Sequence, residues 1–483
     1  MQFLLDSPKS YKSKGLKSLI LTSASISIIY FIVSSVLVPN SNSKLLHFSV
    51  SLQDISSPTT LDHVVFGIAS NNMSWSQRKD YVRLWWKPKR MRGCVFLNSN
   101  TTSSDQEDGD NSLPPMCTSG DTSKFRYTYR GGLRSAIRVA RVVSETVALN
   151  YTNVRWFVFG DDDTVFFPEN LVKVLSKYDH NLWYYIGSNS ESYTQNKFFS
   201  FEMAYGGGGF AISYPLAKVL AKTFDSCIDR YPYLYGSDGR ISSCLAELGV
   251  SLTKEPGFHQ LDMRGDIFGL LAAHPLAPLL SLHHLDILDP IFPNMTSKRA
   301  LKHLYEAANH DPQRIVQQTV CYDRWFSWTV SVSWGYAVQV YGKHVPLPYM
   351  LRAEKTFKPF KKGNHLNYYF NLDVRDYEEN RCRRPAVFFM DQVFSEGGKM
   401  QSENSTGIQS IYRKLRPDNC TRDLGSPHKL EEIRVYSEKY NPGLKQLVAP
   451  RRQCCDVLPS TGSKLMEIGI RECGEEELTY LHP

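Results

Sequence analysis

The sequence predicts an α/β protein in which helices flank a mostly parallel sheet, followed by a second, β-rich region. Between residues 61 and 289, short apolar runs rich in β-branched and aromatic residues alternate with amphipathic segments. This order is typical of parallel strands joined by crossover helices. Beyond residue 290, alternating apolar and polar runs predict an accessory lobe of β-strands over residues 290–483. A chain of 483 residues is long enough to bury a full core.

The first region consists of alternating strands and helices. In chain order, they are predicted as strand 63–69, helix 75–86, strand 94–97, helix 133–149, strand 156–159, helix 169–178 and strand 183–187. Residues 98–121 are rich in Ser, Thr, Asp and Gly and predict an exposed loop. Arg134, Arg138 and Arg141 share one face of the second helix. They could approach a diphosphate, but a solvated basic face is the simpler interpretation.

Three consecutive aspartates directly follow the apolar run 156–159 and Gly160. Asp161, Asp162 and Asp163 therefore place carboxylates at the end of a buried strand, where α/β sheets bind ligands. Carboxylate oxygens suit Mg²⁺ or Mn²⁺, which could bridge to a nucleotide diphosphate. For an isolated motif, a solvated acidic turn is the alternative. His283 follows a later apolar run and could complete a metal site, although a structural histidine is equally compatible with the sequence.

A glycine run and one aspartate come later in the same region. Residues 206–209 are all glycine and lead into an apolar strand at 210–212. The run therefore favours a backbone that approaches a ligand closely over a flexible turn. Asp238 precedes a helix predicted at 240–248 and is expected to be its N-cap. As a lone residue, capping is its simplest role.

The amino-terminal segment predicts a membrane anchor. Residues 18–38 contain no charged side chain and are just long enough to span a bilayer. Four lysines precede the segment and one follows it closely, which predicts a cytosolic tail at 1–17 and a luminal chain after the anchor. Residues 39–60 are polar and predict a stem. A cleavable signal peptide fits less well, because the apolar segment is long and lacks a clear cleavage site.

The composition after the anchor is consistent with an oxidising lumen. All ten cysteines lie there, without the spacing of a zinc site. Their proximity in sequence predicts disulfides Cys94–Cys117 and Cys227–Cys244. The sequons for N-glycosylation are Asn72, Asn100, Asn150, Asn294, Asn404 and Asn419. The net charge of +8 is scattered and accompanied by no nucleic-acid-binding motif, so no nucleic-acid partner is expected.

Taken in order, these motifs resemble those of the fringe-type β-1,3-glycosyltransferases. The resemblance is carried by the strand with Asp-Asp-Asp-Thr, by Gly-Gly-Gly-Gly-Phe-Ala-Ile-Ser after a tyrosine, by Ser-Asp-Gly, and by a strand that ends in Ser-Leu-His. The sequence resembles even more closely the fringe-related plant proteins long labelled a domain of unknown function. The resemblance covers residues 61–285 and implies a GT-A-type, Rossmann-like fold. The sequence departs from the fringe pattern at Ser237, where fringe enzymes carry a second acidic residue.

The resemblance also implies roles for particular residues. Asp163 would be a metal ligand, Asp161 would contact both the metal and the nucleotide sugar, and His283 would be the metal histidine, with His284 as the alternative. The expected ion is Mn²⁺ or Mg²⁺. Asp238 would be the catalytic base that deprotonates the acceptor hydroxyl. The remaining residues expected on the nucleotide-sugar side of the pocket are Asp162, Gly207, Gly208 and Gly209.

The implied protein is a Golgi enzyme of type II topology with its catalytic domain in the lumen. It would transfer a hexose or N-acetylhexosamine from a UDP-sugar to a glycan or glycoprotein hydroxyl with inversion, forming a β-1,3 linkage. One alternative is a glycan-binding or scaffold protein that keeps the fold without catalysis. A second is a phosphatase of the haloacid dehalogenase type, because Asp161 and Asp163 are compatible with its nucleophile motif. Lys254 is a possible partner, but no second aspartate pair follows.

Overall fold

The core of the fold is a central sheet between two layers of apolar side chains. The computed structural model describes residues 58–98, 111–363, 365–397, 406–415, 425–460 and 462–478. The strands of its amino-terminal part are β1 (Val64–Ala69), β2 (Arg92–Leu97), β3 (Met116–Thr118), β4 (Trp156–Asp161), β5 (Val165–Phe166), β6 (Tyr185–Gly187), β7 (Phe210–Ser213), β8 (Leu252–Lys254), β9 (Phe258–His259), β10 (Met263–Gly265) and β11 (Ser281–Leu282). The helices of this part are α1 (Asn72–Trp85), α2 (Ser135–Ala148), α3 (Pro168–Leu175), α4 (Tyr193–Phe198), α5 (Tyr214–Arg230), α6 (Ser237–Glu247) and α7 (Phe268–Ala272).

Seven of these strands form the central sheet in the order β3-β2-β1-β4-β7-β6-β8. The neighbours from β3 to β4 are parallel, as is the pair β6 and β8. Only β7 runs antiparallel to its neighbours β4 and β6. The predicted α/β class with a mostly parallel sheet and flanking helices is therefore confirmed. The loop predicted at 98–121 is wrong in part, because Met116–Thr118 pairs with β2 as an edge strand of this sheet.

The carboxyl-terminal part is rich in strands, as predicted. Its strands are β12 (Gln318–Tyr322), β13 (Thr329–Ser333), β14 (Ala337–Tyr341), β15 (Ala353–Glu354), β16 (Phe357–Pro359), β17 (Val374–Arg375), β18 (Ala386–Gly397), β19 (Thr406–Arg413), β20 (Glu432–Glu438), β21 (Cys454–Leu458) and β22 (Leu465–Arg471). Its helices are α8 (Ser297–His310), α9 (Leu347–Met350) and α10 (Leu444–Val448). Eight of the described strands form one sheet in the order β12-β13-β14-β18-β19-β20-β22-β21.

The two parts share apolar packing. One cluster of buried side chains extends from Trp156 in the central sheet to Val332 and Ile468 in the carboxyl-terminal sheet. A separate cluster lies under α2, α5 and α6 on the other face of the central sheet. Residues Thr59–Pro483 accordingly form one compact unit. The boundary at residue 290 remains a prediction about domain organisation.

Four disulfides connect described cysteines. The two predicted pairs, Cys94–Cys117 and Cys227–Cys244, are confirmed. The first ties β2 to its edge strand β3, and the second ties α5 to α6. In the carboxyl-terminal part, Cys321–Cys455 and Cys454–Cys473 are paired. The predicted tail and anchor, and residues 39–57 of the stem, lie outside the described residues; within the described chain, every helix is too short or too polar to cross a bilayer.

A single glycine in α7 sets how closely the two parts approach each other. A β-carbon at Gly269 would lie 1.8 Å from the carbonyl oxygen of Glu354 in β15. We therefore expect Gly269→Ala to lower the free energy of unfolding by about 3 kcal/mol, the upper end for overpacking. Urea denaturation would measure the change. The matched control is Gly425→Ala, because no atom lies within 4 Å of its added β-carbon. Equal stability of both variants would contradict this packing.

Candidate active site

The aspartate cluster begins at the end of the central strand β4. Asp161 is the last residue of that strand, and the chain turns through Asp162 and Asp163 before entering β5. The Thr164 hydroxyl holds the turn, because it accepts a hydrogen bond from the Asp161 N–H (2.8 Å) and donates one to the Gly207 carbonyl (2.7 Å). Sequence analysis missed this threonine, although Ser and Thr commonly stabilise turns in this way.

His283 reaches the aspartates because of strand pairing. Strand β11 pairs antiparallel with β5, with Leu282 opposite Val165. The residue after Leu282 therefore lies beside the residues before Val165. His283 Nε2 is 3.2 Å from Asp163 Oδ1 and 3.9 Å from Asp161 Oδ2. The three predicted metal-site residues are brought together.

The chemistry of this cluster fits a divalent cation. Each of Asp161, Asp163 and His283 offers one ligand atom, and these atoms lie within 4.8 Å of one another. Carboxylate oxygen and imidazole nitrogen form a donor set that suits Mn²⁺ and related ions. Two nearby carboxylates and one imidazole also leave room for further ligands from a substrate.

The charges of the cluster depend on one another. Burial, together with the neighbouring Asp163, raises the pKa of Asp161 to about 7, although His283 opposes the shift. Burial would disfavour a charged His283, but Asp163 and Asp161 raise its pKa to about 9. Burial likewise works against ionised Asp163, and His283 and Arg78 nevertheless lower its pKa to about 2. These shifts favour an ion pair between Asp163 and His283, and a metal ion would have to displace the proton from His283.

The glycine run passes directly over these side chains. A β-carbon at Gly207 would lie 2.0 Å from Cε1 of His283, and one at Gly206 would lie 2.6 Å from Oδ1 of Asp238. The Gly208 N–H donates to Gln260 Oε1 at 2.7 Å, and Gly209 has a φ of +87°. The absence of side chains here allows the metal cluster and Asp238 to contact the same piece of backbone.

Asp238 is not the N-cap that the sequence predicts. Gly236 is the N-cap of α6, and Asp238 lies in the first turn. Its half-buried carboxylate accepts hydrogen bonds from the Gly206 N–H and from the Ser237 hydroxyl (3.0 Å). Burial raises the pKa of Asp238 despite these hydrogen bonds. Asp238 and Asp161 line the same small cavity of about 20 Å³, so the proposed base and the metal cluster face a common space.

Asp162 has a different environment from its two neighbours. Its Oδ2 accepts from the hydroxyls of Ser70 (2.6 Å) and Ser74 (2.5 Å), and Arg78 lies 3.3 Å from its Oδ1. These contacts join the aspartate turn to the first half of α1. A role for Asp162 at the nucleotide sugar remains a prediction, and both of its oxygens already have protein partners.

Arg78 is a functional candidate that sequence analysis missed. Its guanidinium lies 3.3 Å from Asp163 Oδ2 and 2.9 Å from Asp286 Oδ2, in addition to its contact with Asp162. Nothing in the local sequence distinguishes it from other arginines of α1. Its position follows only from the packing of α1 beside β5.

The basic face of α2 is less solvated than predicted. Arg138 is half-buried and donates to the carbonyl of Ser70 (2.6 Å) at the end of β1. Arg141 pairs with Asp225 (2.9 Å) and Glu145 (3.2 Å). Only Arg134 of the three is exposed. Arg138 is therefore the one placed at the carboxyl edge of the sheet.

His284, His259 and His274 have structural contacts. The ring of His284 stacks on His283 with centroids 4.0 Å apart, and its Nδ1 lies 3.1 Å from Asp262. His259 belongs to a buried network, with His274 at 2.8 Å and Glu191 at 3.0 Å. Lys254 forms an ion pair with Glu202 and lies outside the aspartate cluster.

Comparison with protein families agrees with this arrangement. A family described as "Protein of unknown function, DUF604" matches residues 195–455, more than half of the chain. The chain belongs to this family. A second family, described as "Fringe-like", matches residues 111–272, which include the aspartate cluster, the glycine run and Asp238. The fringe-like glycosyltransferase predicted from the motifs is thus confirmed at the level of family.

Two solved glycosyltransferase structures show a limited likeness to the chain. A mannosyltransferase from Pyrobaculum calidifontis in complex with GDP-Man and Mn²⁺ is 12% identical, with a TM-score of 0.26; the match covers 41% of this chain and 55% of that chain. An active-site mutant of LgtC is also 12% identical, with a TM-score of 0.32 over 50% of this chain and 94% of that chain. This chain therefore spans about half the length of the mannosyltransferase. The comparison with curated proteins gives no match.

The contact between Gly207 and His283 can be tested directly. We expect Gly207→Ala to displace the imidazole and weaken Mn²⁺ binding by about 10-fold to 100-fold, as measured by calorimetry. Gly208→Ala is the matched control, because its β-carbon would approach no atom more closely than 3.2 Å. Mn²⁺ binding by Gly207→Ala at wild-type strength would show that His283 is not held there by the glycine run.

The contacts of Asp162 predict a mainly structural effect. Asp162→Ala removes a carboxylate that accepts from two hydroxyls, so we expect a loss of about 2–3 kcal/mol in unfolding free energy. Mn²⁺ binding should weaken by about 10-fold but not be abolished, because hydrogen bonds of this kind position a ligand without supplying it. Thermal unfolding and calorimetry on the same sample would measure both. Unchanged stability with lost Mn²⁺ binding would assign Asp162 to the metal cluster instead.

Proposed function

We propose that the protein is a metal-dependent, inverting glycosyltransferase that moves a hexose or N-acetylhexosamine from a UDP-sugar to a glycan hydroxyl. The observation that carries this proposal is the position of Asp238. It shares a cavity with Asp161 and contacts the same glycine run as His283. A base and a cation site on either side of one space are what a displacement at a sugar carbon requires.

The charge of the site supports a cation-assisted reaction. The carboxylates of Asp161, Asp162, Asp163 and Asp238 influence one another, whereas Arg78 and His283 are the cations nearest to the triplet. An anionic diphosphate would be repelled by this excess of carboxylates. A divalent cation, when bound, would supply the positive charge that holds the diphosphate and stabilises it as a leaving group.

Different parts of the chain have different roles in the displacement reaction. Asp238 takes the proton of the acceptor hydroxyl, and its raised pKa makes it a stronger base than an exposed aspartate. The acceptor oxygen forms a bond to the anomeric carbon of the donor sugar. The bond from that carbon to the diphosphate breaks on the opposite side, and UDP leaves with the electron pair. Gly206, the first residue of the glycine run, lines this space.

The proposal also includes a subcellular location and the type of glycosidic linkage formed. The uncharged segment 18–38, with lysines before it, supports a type II anchor in the Golgi membrane and a luminal catalytic domain. Asn150 and Asn294, two of the sequons, are exposed. The resemblance to fringe-type enzymes supports a β-1,3 linkage.

Two variants test the division of roles. The full-length chain would be titrated with UDP-GlcNAc, UDP-galactose and UDP-glucose, with Mn²⁺ or with EDTA. We expect one donor to bind only with Mn²⁺, and Asp163→Ala to abolish that binding. Asp238→Asn should bind the donor normally while transfer falls by about 10²–10⁴-fold, because only the proton acceptor is lost.

Two results would contradict the proposed function or the proposed role of Asp238. A folded wild-type chain that binds no nucleotide sugar under either condition would overturn the transferase proposal and favour the non-catalytic glycan-binding alternative. Full transfer activity of Asp238→Asn would remove Asp238 from the mechanism.

A further inference from the structure

A groove of about 600 Å³ runs along α6, apart from the small cavity lined by Asp161 and Asp238. Its volume is in the range of ligand-binding sites. The lining of the groove includes five aromatic side chains, those of Tyr129, Phe198, Phe199, Tyr233 and Tyr235. Ser242, Ser243 and Glu202 add polar groups. A mixed aromatic and hydroxyl lining suits a sugar, whose ring has an apolar C–H face and a polar edge.

The aromatic rings of the groove are unusually accessible. Phe198 is 64% exposed, Tyr233 57% and Tyr235 45%. They also cluster, since the Tyr235 ring lies 5.2 Å from that of Tyr129 and 5.8 Å from that of Phe199. Exposed apolar side chains that occur singly are ordinary, but a contiguous group of them indicates a binding surface.

The loop that carries Tyr233 and Tyr235 is held in place from below. The fully buried Arg240 donates to the carbonyls of Gly236 (2.7 Å) and Leu234 (2.8 Å). The Tyr127 hydroxyl donates to the Tyr235 carbonyl at 2.8 Å. Arg240 and Tyr127 therefore fix the backbone of this loop, and the rings of Tyr233 and Tyr235 stay accessible. Such an arrangement is expected for a preformed site.

The groove comes close to the proposed catalytic base along the chain. Gly236, the N-cap of α6, and Gly239, the residue after Asp238, both line it. On its other side, Asp238 lines the small cavity together with Asp161. The chain around Asp238 therefore borders the groove through its two glycines, while the Asp238 side chain borders the small cavity with Asp161.

We propose that this groove binds the acceptor as an oligosaccharide of two or more sugars, which stack on Phe198 and Tyr233 while the terminal hydroxyl reaches Asp238. The inference rests on the proposed function. Length supports an oligosaccharide over a single sugar: the groove follows α6 from Gly239 to Ala246 and continues to Ser251. At a rise of 1.5 Å per residue, the helical stretch alone spans about 10 Å, which exceeds one sugar ring.

The experiment uses a printed array of mono- to hexasaccharides and the labelled full-length chain. The variant Phe198→Ala/Tyr233→Ala removes two exposed rings from the groove. The matched control is Trp325→Ala, an equally exposed aromatic (63%) outside it. We expect wild type and control to bind a set of oligosaccharides, and the double variant to bind them at least about tenfold more weakly. Thermal unfolding and UDP-sugar binding with Mn²⁺ should be the same for all three.

The results separate the two proposals. If the double variant binds oligosaccharides as wild type does, or if wild type binds none while still binding a UDP-sugar, the groove proposal is overturned and the transferase proposal is untouched. If wild type binds no UDP-sugar but loses oligosaccharide binding on mutation of the groove, the transferase proposal fails and the groove remains a glycan-binding site. Preference for monosaccharides alone would also overturn the proposed occupant.

Discussion

The short antiparallel pair between β5 and β11 is the interaction on which the site depends. It consists of only two residue pairs, Ser281 with Phe166 and Leu282 with Val165. Nevertheless it brings His283 to Asp163, although 120 positions separate them in the sequence. The Ser281 hydroxyl in turn donates to the Gly208 carbonyl, which draws the glycine run onto the pair. Because Gly207 has no side chain, the imidazole can lie directly against this backbone.

The same crowding determines the charges. Asp161 and Asp163 flank one turn, yet their pKa values shift in opposite directions. Burial disfavours the charged form of both. For Asp161, burial and the neighbouring carboxylates outweigh His283, whereas for Asp163 the contacts with His283 and Arg78 outweigh burial. One member of the pair is therefore firmly ionised, and the other holds its charge less strongly. This difference follows from position within the turn and could not be read from three identical residues in a row.

The sequence located the candidate site residues more fully than it predicted their contacts. Motifs located the aspartates, His283 and Asp238, because strand ends and glycine runs leave a local pattern. The N-cap role of Asp238 was wrong, since capping preference is a local rule and the carboxylate turns instead to the distant Gly206. Arg78 was missed for a related reason. Its partner Asp286 lies 208 positions away in the sequence. The pattern of residues along α1 gives no information about a contact with so distant a residue.

The carboxyl-terminal part packs against the strand next to the site. The Tyr305 hydroxyl of α8 donates to the carbonyl of Phe166 in β5, and its ring stacks on Phe167 with centroids 4.9 Å apart. The strand β5, which follows Asp163 and pairs with the strand before His283, is thus supported by a helix beyond residue 290. A two-residue strand pair is weak alone, because so few hydrogen bonds fix it. Packing from α8 restricts β5 further, and in this way residues without any chemistry of their own contribute to the geometry of Asp163 and His283.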